Sequence, residues 1–361
     1  MVVEDIGNAF LGTLVINMLH FGVNTLHDAG DVQNDHGDAQ SAAGTGGLGA
    51  HAGGVSHAVV QVPVHVISAA GTQQVLPLAG NAVVLLQMEP VAYPNPNARY
   101  YHVTLIAPGN CKLHAKYICP SHEGSAACTL TFHDYPGASR GWFHLTRYIS
   151  IDTAVLAPDC RGQGGYSENG PVGPGPAAYG PMFNGLEGEI RETYLFKLFR
   201  DALLWAKVAM MLSKTDPEKL YVCGDGQGGG LAIACAAMYP EFKKCSAHYP
   251  MLCDYKLVWD KDFDQNAYAG LRFFFRWHDP LHQREAEIFR KLSYMDAVNF
   301  APMVKAKVLV STGLQDAVSP PSAQFALYNK LETEKQHMIY PKHGHELNNF
   351  FENELLKFLI V

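Results

Sequence analysis

The chain is short of positive charge, above all in its first third: no lysine precedes Lys112, and Arg99 is the single basic residue among residues 1–111. With seven acidic residues there, that stretch carries −6 of the formal net charge of −7. Without a basic footprint, nucleic acid is not an expected partner. Paired cysteines are missing too. None of the eight (111, 119, 128, 160, 223, 235, 245, 253) belongs to a C-x-x-C pair, and most lie inside apolar runs. That is the pattern of buried free thiols in a reducing compartment, not of a disulfide framework. No run of about 20 uncharged apolar residues is present, so no membrane span is expected. The apolar stretch Phe10–Val23 follows Glu4 and Asp5 instead of a basic region, which speaks against a signal peptide. Metal-ligand spacing is equally scarce. His20, His27, His36, His51, His57 and His65 share no such spacing, and His278 and His282 flank Pro280 without a third ligand. No metal site is expected from these histidines.

What is there divides in two. Residues 1–95 are rich in Gly, Ala, His and Val, and 28–54 are almost wholly small or polar. Such a tract buries too little apolar surface to offset its ordering entropy, so 1–95 is expected to be an atypical, flexible segment, with β-like runs at 58–68 and 75–88. From Tyr100 onward, apolar strand candidates (102–106, 114–119, 128–132, 153–157, 220–223, 308–311, 338–340) alternate with helical stretches. That alternation predicts an α/β domain over 96–361, a mostly parallel central sheet with helices on both faces. The longest helix candidate, 194–212, spaces Lys197, Arg200, Asp201 and Lys207 as a wet stripe on an otherwise apolar cylinder. Asp216-Pro217 breaks the helical pattern ahead of the next strand, and a second helical region is predicted over 286–298.

The stretch 219–231, KLYVCGDGQGGGL, reads as strand, sharp turn and helix. Two machines are built on that plan. Gly224, Gly226 and Gly229 satisfy the G-x-G-x-x-G of an NAD-type dinucleotide site, in which Asp254, 25 residues past Gly229, would be the ribose ligand. The same stretch satisfies the nucleophile elbow, G-x-S-x-G, except at its centre, where Gly226 stands in place of serine. An elbow needs a later acid and a later histidine. Asp316 follows the strand candidate 308–311 and His345 follows 338–340, in the required order. The loop after strand 128–132 offers the backbone N–H of Tyr135 as one oxyanion donor, and Gln227, next to the elbow, offers the other.

From Tyr100 to the C-terminus the chain resembles the acetyl xylan esterase and cephalosporin C deacetylase family of α/β-hydrolases. The matching segments are HAKYICP (114–120), FHDYPG (132–137), DCRGQGGYS (159–167), GDGQGGGLAIACAA (224–237), YPMLCDY (249–255), KLSYMDAVN (291–299), GLQDAVSPPSAQFALYNKL (313–331) and YPKHGHE (340–346). The resemblance implies an α/β-hydrolase fold and deacetylation of small acetyl esters of sugars or cephalosporins, without a cofactor. It places the catalytic acid on Asp316, the histidine on His345 and the oxyanion donors on Tyr135 and Gln227. It also implies a cytoplasmic homo-oligomer. Two departures stand out. The family's helical N-terminal region is not recognisable in 1–95, and Gly226 supplies no hydroxyl to form an acyl-enzyme. Loss of the nucleophile removes about six powers of ten of rate, so negligible turnover is expected, with the three loops converging on a hollow above Gly226. A non-catalytic ester- or sugar-binding relative and a serine-to-glycine variant of an active esterase are the two readings that fit.

Overall fold

The computed structural model describes residues 72–78, 82–170 and 177–360. The β-like run at 58–68 and most of the 1–95 segment lie outside them. The described residues form one ten-stranded sheet. In chain order its strands are β1 (Thr72–Leu78), β2 (Ala82–Val91), β3 (Ala98–Ala107), β4 (Cys111–Pro120), β5 (Ala126–Phe132), β6 (Thr153–Pro158), β7 (Thr215–Asp225), β8 (Lys244–His248), β9 (Lys307–Gly313) and β10 (Lys335–Tyr340). Across the sheet they run β1-β2-β3-β4-β6-β5-β7-β8-β9-β10. The stretch from β6 to β10 is parallel throughout, as the alternation of strands and helices predicts. The first four strands add an antiparallel flank, joined to the parallel part through β4 and β6.

The turn from β3 to β4 is written in Pro108-Gly109-Asn110. Gly109 and Asn110 hold φ of 82° and 54°, a left-handed pair that glycine and asparagine adopt at least cost. β2 lies ahead of the change in composition at residue 95, and it pairs with β3 from Leu86↔Leu105 to Val91↔Tyr100.

Six helices of eight or more residues are described: α1 (Tyr194–Met211), α2 (Gln227–Met238), α3 (Ala269–Trp277), α4 (Glu285–Ser293), α5 (Pro321–Lys330) and α6 (Asn349–Ile360). They cover both faces. Because strand side chains alternate, β7 sends Leu220 and Val222 into the larger core with α1 and α2, and Tyr221 and Cys223 into the smaller one against α6. All eight cysteines are free and buried, as expected.

Two local expectations need correction. Asp201 is not part of a wet stripe on α1: it is buried, and its carboxylate pairs with Arg161 Nε at 2.5 Å and Arg200 at 2.9 Å. A buried carboxylate survives there because two guanidinium groups compensate it. The helical region 286–298 is interrupted after Ser293, where buried Asp296 caps a fresh helical turn by accepting from Val298 N–H. Asp216-Pro217 falls at the outer end of β7, consistent with proline's place at a strand's start.

Candidate active site

β7 delivers the chain to Gly226 at φ 52°, ψ −117°, and α2 begins at the next residue. This is the strained turn of an elbow, and a left-handed φ suits glycine best. The surrounding glycines serve close packing. A Cβ at Gly228 would collide with the Phe132 carbonyl, and one at Gly230 with the Met251 carbonyl. One at Gly229 would lie 3.1 Å from Pro250 Cα. Such packing fits either motif, but the Gln227 N–H at the start of α2, where a pyrophosphate would sit, donates to the Asp134 carboxylate, and Asp254 spends its own carboxylate capping a helical turn at Leu257 N–H, which speaks against the dinucleotide reading.

The three loops do converge. His345 Nδ1 is 2.8 Å from Asp316 Oδ2. Asp316 is buried and fully engaged: its Oδ1 accepts from the Val318 and Ser319 N–H groups at 2.8 Å each, and its Oδ2 also accepts from Gln324 Nε2 at 2.9 Å. The Tyr249 ring lies 4.5 Å from the imidazole, centroid to centroid, and fixes its tilt.

The expected hollow above Gly226, however, is filled. The Asp134 carboxylate occupies it. Asp134 Oδ1 accepts from the Tyr135 N–H at 2.7 Å and from the Gln227 N–H at 3.2 Å, the two predicted oxyanion donors. Asp134 Oδ2 lies 3.0 Å from His345 Nε2. A Cβ built on Gly226 would overlap Oδ1 and Cγ of Asp134, so a side chain at 226 and this rotamer of Asp134 exclude each other. An anion at that point is favoured physically, since backbone N–H groups and the N-terminus of the twelve-residue helix α2 converge on it.

Burial works against a charge on His345, but the Asp134 and Asp316 carboxylates outweigh it and raise its pKa to about 9. At neutral pH the ring is therefore an imidazolium donating to a carboxylate on each side. Asp225 points away from the site, toward His248 (3.3 Å) and Arg140 (3.8 Å).

Two further loops brace the turn. His133 Nε2 accepts from the Cys160 N–H at 2.9 Å, which leaves Nδ1–H to donate to the Asp134 carbonyl at 2.7 Å. Gln163 and Gln227 pair their amides, Gln227 Nε2 donating to Gln163 Oε1 at 2.8 Å and Gln163 Nε2 donating to Gln227 Oε1 at 3.0 Å. Arg161 ties its loop down through Asp201 and the Asn169 carbonyl (3.1 Å). Sequence reasoning passed over Asp134, Gln163, Tyr249 and Gln324. Only Asp134 left a signal, a carboxylate placed directly before an expected oxyanion donor.

His278 and His282 do not converge on one point, each bonding a different carboxylate, Glu187 at 2.9 Å and Glu285 at 3.1 Å. Among the described residues no cluster of three or more His, Cys, Asp or Glu could hold a metal ion. Nor is any of their helices long and apolar enough to cross a membrane. Within the aromatic run of α3, Phe274 and Phe275 are buried and Trp277 is exposed.

The parallel sheet, the elbow between β7 and α2, and the acid and histidine after β9 and β10 define the class: an α/β-hydrolase fold. More narrowly, the chain belongs to the acetyl xylan esterase family, whose family model (AXE1) matches residues 78–361. Acetyl xylan esterase 1 from Thermoanaerobacterium sp. JW/SL YS485 is 35% identical with a TM-score of 0.74, the match covering 76% of this chain and 87% of that one. An acetyl xylan esterase from Paenibacillus sp. R4 is 29% identical with a TM-score of 0.72, over the same shares of the two chains, 76% and 87%. Acetyl esterase Axe7A of Xylanibacter ruminicola is 28% identical over 167 residues, 46% of this chain. That match spans only 36% of the relative's own length.

Proposed function

We propose that this chain is an acetyl-ester- or sugar-binding member of the esterase family in which acyl transfer is stopped at the nucleophile position. In this reading Gly226 stands where the attacking hydroxyl belongs, Asp316 orients His345, and Tyr135 and Gln227 provide the oxyanion donors. The observation that carries it is the Asp134 carboxylate, which takes both donors and the imidazole at once. Three losses follow. No hydroxyl is available to attack. The donors that would stabilise a tetrahedral oxyanion are already committed to an anion. His345, held as imidazolium, is no base at neutral pH, so it cannot activate water directly in place of the serine.

The overlap between Asp134 and any Cβ at 226 also bears on the origin of Gly226. A serine simply replaced by glycine would leave a hollow. Here positions 134 and 226 fit each other as a pair, which supports a native arrangement. Homo-oligomer assembly and a cytoplasmic setting are proposed on the family resemblance, and the eight buried thiols agree with a reducing compartment.

The test is acetate release from acetylated xylo-oligosaccharides by the chain, by Gly226→Ser, and by Gly226→Ser with Asp134→Gly. The unaltered chain is expected to be silent, the single variant to gain little because Asp134 still holds the site, and the pair to gain several powers of ten. Esterase-like rates from the unaltered chain would refute the reading.

A further inference from the structure

The two oxygens of Asp134 are not equivalent. Oδ1 is fixed by two backbone N–H groups, and Oδ2 faces an imidazole that is itself held by a second carboxylate. A side-chain oxygen beside a histidine, with the histidine oriented by an acid, is the arrangement of nucleophilic catalysis, and aspartate is among the residues that form covalent intermediates. The side chain is reachable: Asp134 is 25% exposed, whereas His345 is 9% exposed.

We propose that Asp134 is a covalent nucleophile and that the chemistry it supports is the hydrolysis of epoxides to vicinal diols. This goes beyond the silence toward acetyl esters and does not depend on ester binding.

The choice of substrate follows from leaving groups. When a carboxylate adds to the carbonyl of a sugar acetate, the tetrahedral intermediate holds a carboxylate and an alkoxide, and the carboxylate is much the better leaving group. It returns to starting material, so acyl transfer fails. Displacement at a saturated carbon has no such return path. It needs an electrophile whose departing oxygen can be protonated close by, and in an epoxide that oxygen stays tethered through the neighbouring carbon.

The steps balance without an outside reagent. A lone pair of Asp134 Oδ2 forms the new O–C bond as the epoxide C–O bond breaks. The released oxygen, on the far side of the carbon from Oδ2, takes a proton from a water that is in turn reprotonated by the His345 Nε2–H, giving a hydroxyalkyl ester on Asp134 and a neutral imidazole. With Asp134 no longer anionic, His345 loses one of the two carboxylates that hold its proton and becomes a competent base. It takes a proton from water, whose oxygen attacks Cγ of Asp134. The negative charge develops on Oδ1, where the Tyr135 and Gln227 N–H groups already point. Collapse expels the alkoxide, which takes the proton back from His345 and leaves as the diol. Asp134 is left as a carboxylic acid, and its proton passes to His345, restoring the starting state. The oxygen retained by Asp134 then includes one from water, while the first diol released carries an oxygen from Asp134.

The experiment uses the full chain in molar excess over propylene oxide, styrene oxide or phenyl glycidyl ether in heavy-oxygen water, followed by mass spectrometry of the peptide holding Asp134 and of the diol. The expected result is one heavy oxygen in Asp134 and none in the first diol. In parallel samples, Asp134→Asn should form no ester, and His345→Gln, which lacks the proton that the opening epoxide oxygen takes, should form it at least about a hundredfold more slowly than the unaltered chain. If the unaltered chain shows neither label nor adduct at Asp134 with any of the three epoxides, or if heavy oxygen enters the first diol directly, the proposal is overturned and Asp134 is only a plug. Neither outcome alters the acetate-release test, so the two readings fail separately.

Discussion

At the scale of single residues, the account rests on one carboxylate held by two backbone donors and one imidazolium. Removing its charge has a definite electrostatic consequence. In Asp134→Asn, burial still disfavours the charged ring while only Asp316 remains to favour it, so the His345 pKa should fall from about 9 toward the ordinary histidine range. Following the ring protons of His345 by NMR through a pH titration checks this, and an unchanged midpoint near 9 would contradict the pairing. The same coupling sets a pH dependence of stability. The folded pKa of about 9 lies above the model value of 6.5, so the contribution is fully present below about 6.5 and is lost as pH rises through about 9. The gap in urea midpoint between the chain and His345→Asn should therefore be wide at neutral pH and narrow at pH about 10. A gap that widens with pH would have the wrong sign.

Much of the site was legible at this scale. Asp316 and His345 could be picked out because each follows an apolar strand in the order that an elbow requires, and that order is a property of the sequence. The occupant of the hollow could not be picked out in the same way. Whether Asp134 turns toward solvent or back onto its own loop depends on Gly226 leaving room, and the hydrogen bond that ties Asp134 to the elbow, from the Gln227 N–H, spans 93 residues of sequence. Asp201 hid for a similar reason. Its spacing with Lys197 and Arg200 suits an exposed stripe, and only its contact with Arg161, 40 residues away, buries it.

At the scale of elements, the decisive contact is between the elbow, α2 and the loop after β5. The run of glycines in α2 lets the helix approach the Phe132 and Met251 carbonyls. Gly228→Ala places a methyl group against backbone that cannot swing aside, and overpacking of this kind costs about 1–3 kcal/mol. The denaturation midpoint should drop accordingly, and an unchanged midpoint would show that the helix has slack. A second element-scale contact is the pairing of α1 with the Arg161 loop. Asp201→Asn leaves Arg161 buried with a carbonyl and no counter-charge, at a cost of about 3–5 kcal/mol, which chemical denaturation would register. Strand alternation made the parallel part of the sheet readable. The antiparallel flank was harder, because β1 and β2 lie in or beside a stretch whose composition differs from the rest of the domain.

At the scale of the whole molecule, the sheet, the two cores and the family match describe an α/β-hydrolase framework with Gly226 at its elbow. A framework does not dictate a reaction. The cores position β7, β9 and β10 so that the elbow, Asp316 and His345 meet, and the side chains brought to that point set what it can do.

The central claim is that positions 134 and 226 together decide whether acyl transfer can occur. Acetate release by the Gly226→Ser, Asp134→Gly pair tests it most directly. The unaltered chain should be silent and the pair should gain several powers of ten, well beyond Gly226→Ser alone. Equal activity in the single and paired variants, or a paired variant that stays silent while the His345 to Asp316 hydrogen bond persists, would contradict it.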